Sequence, residues 1–162
     1  MSNKEQLVFK DNQWNVSNYK NQKDVKLDKV NINDAINIFE CDNSTFVISS
    51  TKFKSLQIQK CTKCNIVLNN LISSIDIIDS KKMKIQILGV CSAISIDKSI
   101  GVSIYLSKHN EETEFTTALS SEMNVHIEKK DKDWEEIVIP EQYQHKLLNG
   151  KLKTRVSDLY NF

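Results

Sequence analysis

The chain has 162 residues, 40% of them apolar and 27% charged, with 22 basic against 21 acidic side chains. That length and balance suit one ordinary folded domain. They exclude a disordered tail and a minimal disulfide scaffold, and they leave no strong field for nucleic acid or an anionic membrane. Isoleucine (19) and valine (11) outnumber leucine (12) and alanine (3) two to one. β-Branched side chains favour pleated surfaces, so the composition reads as all-β. With only three glycines and one proline, Asn and Asp are expected to make most of the turns.

From the N-terminus, Met1 to Trp14 holds no apolar stretch of signal-peptide length, and no 18-residue apolar run follows. The expectation is a cytoplasmic protein without a membrane span. Cys41, Cys61, Cys64 and Cys91 are then reduced thiols. Cys61-x-x-Cys64 has the spacing of half a zinc or redox site, but Cys41 and Cys91 have neither paired spacing nor a nearby His. Structural thiols are expected, and no metal or cofactor.

Short alternating segments follow in order: INIFE, TFVIS, SLQIQ, NIVLN, SIDII, KIQIL, AISID and VSIYL. Alternate members align at a period of 19 or 20 residues through four copies. The first column is Ile36, Leu56, Ile75 and Ile94, and the second Ile38, Ile58, Ile77 and Ile96. Ten residues on come Phe46, Ile66, Ile85 and Ile104, then Ile48, Leu68, Ile87 and Leu106. A fifth copy is expected to continue as Phe115, Met123 and Val125, with Thr113 in the first column. Polar residues such as Gln57, Asp76 and Ser95 lie between, which is the alternation of strands with one wet face. No stretch between strands is long enough for a crossover helix. The remaining solution is a parallel β-helix of about five to six coils in which each strand pairs with its counterpart one repeat on. In this register Cys41 and Cys61 align with Ser80 and Ser99 as one column of small residues at a coil corner.

Residues 128–162 break the period. Glu128 to Asp133 reads as a solvated loop, and Asn149-Gly150 as the turn of a β-hairpin. An open solenoid end exposes backbone and apolar core, so this tail is expected to cap its own chain or cross to a second one. One domain over 1–162 is expected, with coils over about 5–127. His109, His126 and His145 stand beside no nucleophile motif, Gly89, Gly101 and Gly150 form no phosphate loop, and Glu111-Glu112 and Glu135-Glu136 alternate faces on a strand. No enzyme is expected. Wide, Lys-rich faces suit protein binding.

Ser120-Ser121-Glu122-Met123-Asn124-Val125, then Val138-Ile139-Pro140-Glu141-Gln142-Tyr143 and Asn149-Gly150-Lys151-Leu152, resemble the C-terminal domain of cyclase-associated proteins. Upstream, Cys61-Thr62-Lys63, Asp79-Ser80-Lys81, Ile94-Ser95-Ile96-Asp97-Lys98 and Tyr105-Leu106-Ser107 resemble the same family's coils in the same order. The resemblance runs from about Glu5 to Leu159. It implies a right-handed parallel β-helix that forms a homodimer by exchanging C-terminal strands. It also implies a cytoplasmic, cytoskeleton-associated protein that binds monomeric actin, preferably with ADP, sequestering it or accelerating its nucleotide exchange. Carried over residue by residue, actin contact falls on Ser121, Glu122 and Asn124, and with less motif support on Lys60, Lys63, Lys82 and Lys98. Strand exchange falls on Val125, Ile127, Ile137, Val138, Ile139 and Val156, with Trp134 as an anchor. The family's N-terminal helical domain, proline-rich linkers and short actin-binding segment find no counterpart before Glu5, so the chain resembles a short single-domain form. Its last residues, Asp158-Leu159-Tyr160-Asn161-Phe162, are more aromatic than the family pattern. A related coil, the tubulin cofactor C type, activates a GTPase with an exposed Arg. Arg155, the chain's one arginine, lies in the tail instead.

Overall fold

A computed structural model describes residues 4–130 and 133–160. Asp131 and Lys132 of the expected loop, and Asn161 and Phe162 of the tail, lie outside the described residues. In chain order the strands are β1 (Gln6–Lys10), β2 (Gln13–Ser17), β3 (Val25–Leu27), β4 (Ala35–Phe39), β5 (Thr45–Ile48), β6 (Lys52–Phe53), β7 (Ser55–Gln59), β8 (Asn65–Leu68) and β9 (Asn70–Leu71). They continue as β10 (Ser74–Ile78), β11 (Lys81–Ile87), β12 (Ala93–Asp97), β13 (Ile100–Leu106), β14 (Glu114–Ala118), β15 (Ser121–Glu128), β16 (Trp134–Val138), β17 (Tyr143–Leu148) and β18 (Lys151–Val156).

Pairing follows the repeat. One sheet runs β1-β2-β4-β7-β10-β12-β14 and the other β16-β15-β13-β11-β8-β5-β3. In each, six strands are parallel neighbours one coil apart. The molecule is therefore a β-solenoid of six coils, with β6 and β9 forming a short parallel ladder on a third side. The outermost strands reverse direction: β1 lies antiparallel on β2 at one end, and β16 antiparallel on β15 at the other.

The sixteen residues of the four aligned columns are all at most 2% exposed. Ile36 meets Leu56, Leu56 meets Ile75 and Ile75 meets Ile94 in register. Phe46, Ile66, Ile85 and Ile104 stack likewise in the second sheet. Each fully buried aliphatic side chain contributes roughly 2 kcal/mol of gross burial. The alternation puts Gln57, Asp76 and Ser95 side by side on the outer face.

Two coils depart from the period. The sixth begins two residues late: Phe115, not Thr113, sits beside Ile94 in the first column, and Thr117 follows Ile96. Consequently Val125 and Ile127 continue the columns of Ile104 and Leu106, while Met123 continues that of Val102. The extra length is taken up between Ser107 and Thr113. There the buried Asn110 accepts from Cys91 N at 2.8 Å and donates to Gly89 O at 2.8 Å, and Thr113 Oγ1 donates to Cys91 O. At the other end, β2 and β3 form a first coil whose spacing of 22 and 21 residues hides it from the repeat, with Trp14 beside Ile36. Trp14 Nε1 donates to the buried Asp34 at 3.0 Å, which fixes this end of the core.

The tail divides. The β16 strand pairs with its own β15, Ile137 opposite Val125 and Trp134 opposite Glu128. Among the described residues the hairpin β17–β18 pairs only with itself, around Asn149 (φ 52°) and Gly150 (φ 76°). Positive φ at both central residues is what this tight turn requires.

Truncating Ile77 to Ala should leave a cavity between two stacked neighbours and cost about 3–4 kcal/mol. Gln57→Ala on the wet face should stay within about 0.5 kcal/mol. Urea unfolding of the two variants measures the difference.

Candidate functional site

Each coil turns from the first sheet toward the second through a four-residue corner: Asn18 to Asn21, Glu40 to Asn43, Lys60 to Lys63, Asp79 to Lys82, Lys98 to Gly101, and Leu119 to Glu122. The first and last residue of every such corner has positive φ. Two columns of left-handed residues result, Asn18-Glu40-Lys60-Asp79-Lys98-Leu119 and Asn21-Asn43-Lys63-Lys82-Gly101-Glu122. For a residue with a side chain this conformation costs about 1 kcal/mol. It persists because each corner is hydrogen-bonded to its neighbours: Lys60 N to Ile78 O at 3.1 Å, Asp79 N to Asp97 O at 3.0 Å, Lys98 N to Ala118 O at 3.0 Å, Lys63 N to Lys81 O at 2.9 Å. Asn and Asp supply only half of the fourteen non-glycine positive-φ residues, fewer than the composition suggests. Lys, Glu and Leu fill the rest, because the coil's hydrogen bonds impose the turn.

Inside the corner stands the expected column of small residues, Cys41, Cys61, Ser80, Ser99 and Ser120. Ser80 Oγ donates to Ile78 O at 2.9 Å and accepts from Cys61 N at 3.2 Å; Ser99 repeats the pattern with Asp97 O and Ser80 N. Cys61 Sγ occupies the hydroxyl's place, donating to Gln59 O at 3.4 Å. Contact with the Cys41 and Cys64 thiols, together with burial, pushes the Cys61 thiol up from its ordinary pKa. Burial likewise raises Cys91. All four cysteines are buried and unpaired, and no group of three metal-ligating side chains occurs among the described residues. The column's hydrogen bonds brace the corner.

Outside the corner the structure gathers Lys60, Lys63, Lys82 and Lys98 on one exposed ridge, joined by Lys81, to which the Asp79-Ser80-Lys81 string assigned no contact. Lys60 and Lys98, two coils apart, are separated by about 10 Å at the strand spacing. Asp79 lies between them in the column, yet among the described residues no ion pair joins it to either lysine. Lys60 Nζ lies 5.8 Å from the Phe39 ring. The ridge ends at Ser121 and Glu122. Asn124 lies three residues into β15, half-buried on the face of the second sheet. Glu122 N donates to Glu141 Oε2 at 2.7 Å, and Ile139 N to Met123 O at 3.0 Å. Residues 120–125 and 138–143, remote in sequence, thus form one surface. Glu141 completes it, and its signal was its place in the Pro140-Glu141-Gln142 string.

The residues expected to exchange strands are placed differently from one another. Val125 is buried in its own chain's core, Ile127 and Ile139 pack against that core, and Trp134, Ile137 and Val138 are exposed on β16. Trp134 meets Tyr105 edge to face, and Tyr105 stacks on His126 at 4.3 Å. Val156 is half-buried on the free hairpin. Arg155 lies beside it, bound to Asp158 at 2.6 Å and away from the coils, so nothing on the ridge offers the arginine that a GTPase-activating coil needs.

A family model described as adenylate cyclase associated (CAP) C terminal matches residues 3–159. The chain belongs to this family. It is 35% identical over 154 residues to adenylyl cyclase-associated protein 1 of Bos taurus, covering 94% of this chain and 32% of that protein. To the adenylyl cyclase-associated protein of Dictyostelium discoideum it is 36% identical over 150 residues, covering 91% and 32%. The chain thus spans about a third of the length of these relatives. Among solved structures, the cyclase-associated protein from Cryptosporidium parvum superposes with a TM-score of 0.89 at 31% identity, over 96% of both chains. The six-coil solenoid is the family's fold.

Because the corner backbone is strained at Lys63, Lys63→Gly in this CAP-type domain should raise stability by about 0.5–1 kcal/mol, whereas Lys63→Ala should change it little. Thermal or urea unfolding of both variants checks this.

Proposed function

We propose that this domain binds monomeric actin, preferably in the ADP state, through the lysine ridge and the surface joining residues 120–125 to 138–143. In this reading it is a cytoplasmic binding protein of the cytoskeleton and performs no covalent chemistry. The observation that carries the proposal is the family match across the chain together with the pairing of its two most characteristic strings at Glu122 and Glu141. The ridge supports it, since its ammonium groups are exposed and free of ion pairs among the described residues. The ladder fixes their backbones, so binding orders side chains but no loop. Preferential affinity for an actin conformation with an open nucleotide cleft would shift the monomer toward it and speed nucleotide release.

Purified protein at near-stoichiometric ratio should accelerate release of a fluorescent nucleotide from actin monomers and lengthen the polymerisation lag. A folded protein with neither effect overturns the reading. Lys63→Glu with Lys82→Glu should weaken the interaction at least roughly tenfold, with the far-ultraviolet spectrum unchanged.

A two-fold dimer by exchange of C-terminal strands belongs to the same reading. An isolated two-stranded hairpin is marginal in water, and β17–β18 carries Leu147 (73% exposed) directly opposite Leu152 (64%). At the same end, β14 closes the first sheet with a free edge. Sedimentation of the full chain should give a dimer that Leu147→Asp with Leu152→Asp converts to monomer; a monomeric wild type removes this part of the proposal.

A further inference from the structure

At a corner the left-handed backbone is held from the coil that follows. The amide of the corner's fourth residue donates forward to that coil: Asn21 N to Asp42 O at 3.1 Å, Asn43 N to Thr62 O at 2.9 Å and Lys63 N to Lys81 O at 2.9 Å. The sixth corner, Leu119 to Glu122, has no coil after it, because β14 ends the first sheet and β15 is followed by a reversed strand. Glu122 nevertheless keeps the same conformation, at φ 53°. Its amide donates instead to Glu141 Oε2 at 2.7 Å. A carboxylate from the tail thus takes the place that a backbone carbonyl of the next coil fills at earlier corners.

The replacement is built into the tail. Val138 pairs opposite Asn124, Ile139 N donates to Met123 O at 3.0 Å, and Tyr143 Oη donates to Pro140 O at 3.3 Å, so the backbone on both sides of Glu141 is tied down. An amide bond to a carboxylate is also of the shorter, stronger kind. What it holds is a residue of the candidate partner surface. Glu122 follows Lys63, Lys82 and Gly101 in its column, and its side chain lies back toward them, with Oε2 only 3.8 Å from where a Cβ on Gly101 would stand. Its carboxylate therefore closes the end of the lysine ridge.

We propose that Glu141 is a positioning residue of the partner surface: it does not touch the partner, and it acts by holding Glu122 in the left-handed conformation that lays its carboxylate against the end of the ridge. The assignment rests on the actin reading above. Its physical basis is that a residue with a side chain leaves the left-handed region unless its surroundings impose it. Elsewhere in the solenoid a whole strand imposes it. At Glu122 one side chain does, and when that acceptor is lost the residue relaxes and its carboxylate swings off the column.

The test is a double-mutant cycle on the full chain, with Glu122→Ala, Glu141→Ala and the pair, read as affinity for actin monomers beside melting temperature and sedimentation. Each single change should weaken binding roughly fivefold to tenfold, and the pair no more than either alone, because both remove the same contact. Glu141→Gln keeps an acceptor oxygen at the same reach and should bind within about threefold of wild type. Glu141→Asp, which keeps the charge but is one methylene too short, should bind as weakly as Glu141→Ala. It also carries the test if the alanine variant folds poorly. Melting temperatures should fall by no more than about 4 °C. Losses that add in the pair show that Glu141 touches the partner itself, and they overturn the proposal. So does a Glu141→Gln variant as weak as Glu141→Ala, which would make charge the cause. Unchanged affinity in Glu141→Ala overturns it and leaves the actin reading standing, whereas absence of binding by wild type overturns both. If Glu141→Ala alters the sedimentation, the side chain belongs to a contact between copies and the proposal fails.

Discussion

The structure depends on the hydrogen-bond ladder between successive coils. Each strand takes its partners from the coil before and the coil after, so a residue's nearest neighbours are its own counterparts one repeat away. That relation explains Ile58 upon Ile77 upon Ile96 in the core, Gln57 beside Asp76 outside, and Ser80 between Cys61 and Ser99 at the corner. It also forces each corner to reproduce the one before it, strained residues included. A lysine enters the left-handed region at position 60 because the amide there must reach Ile78 O.

How far the fold could be read from the chain follows from the same ladder. Four apolar columns are legible because isoleucine and leucine alternate with polar residues over several copies. Where the spacing slips, legibility ends. The segment Ser107 to Thr113 folds its extra residues into a buried polar plug around Asn110, and no property of those residues alone distinguishes a plug from a surface loop. The first coil is hidden for the mirror reason, its two strands lying 22 and 21 residues from the next pair. Corner conformation is the least legible feature. Glycine and asparagine advertise a positive φ, whereas Lys60, Lys63, Lys82 and Lys98 do not, and only their places in the two corner columns betray it. At the tail, Asn149-Gly150 marks the hairpin, but the choice of β15 as partner for β16 depends on the end of a sheet that exists only after folding.

The candidate site divides along similar lines. Ser121, Glu122 and Asn124 come from a string whose resemblance is specific, and the pairing of Glu122 with Glu141 ties two such strings together. The lysines carry less motif support, and the structure brings them to one ridge. Corners are the part of a solenoid where the outward side chain has no role in the core and the backbone is held on both sides. Such positions can exchange charge, size and polarity at little cost to the fold, which makes them suitable for carrying recognition. A net charge of +1 conceals this, since five of the 22 basic side chains share the ridge.

The two sheets are staggered: β1 lengthens one at its beginning and β16 the other at its end, each running against the strand it covers. A stack of parallel coils with flush ends would match the next copy's polarity and could add subunits without limit, as a fibre does. A reversed strand removes that match. Each end offers a neighbour one sheet of the wrong direction and one that stops a strand short, so the ladder that builds the molecule also carries its own termination signal.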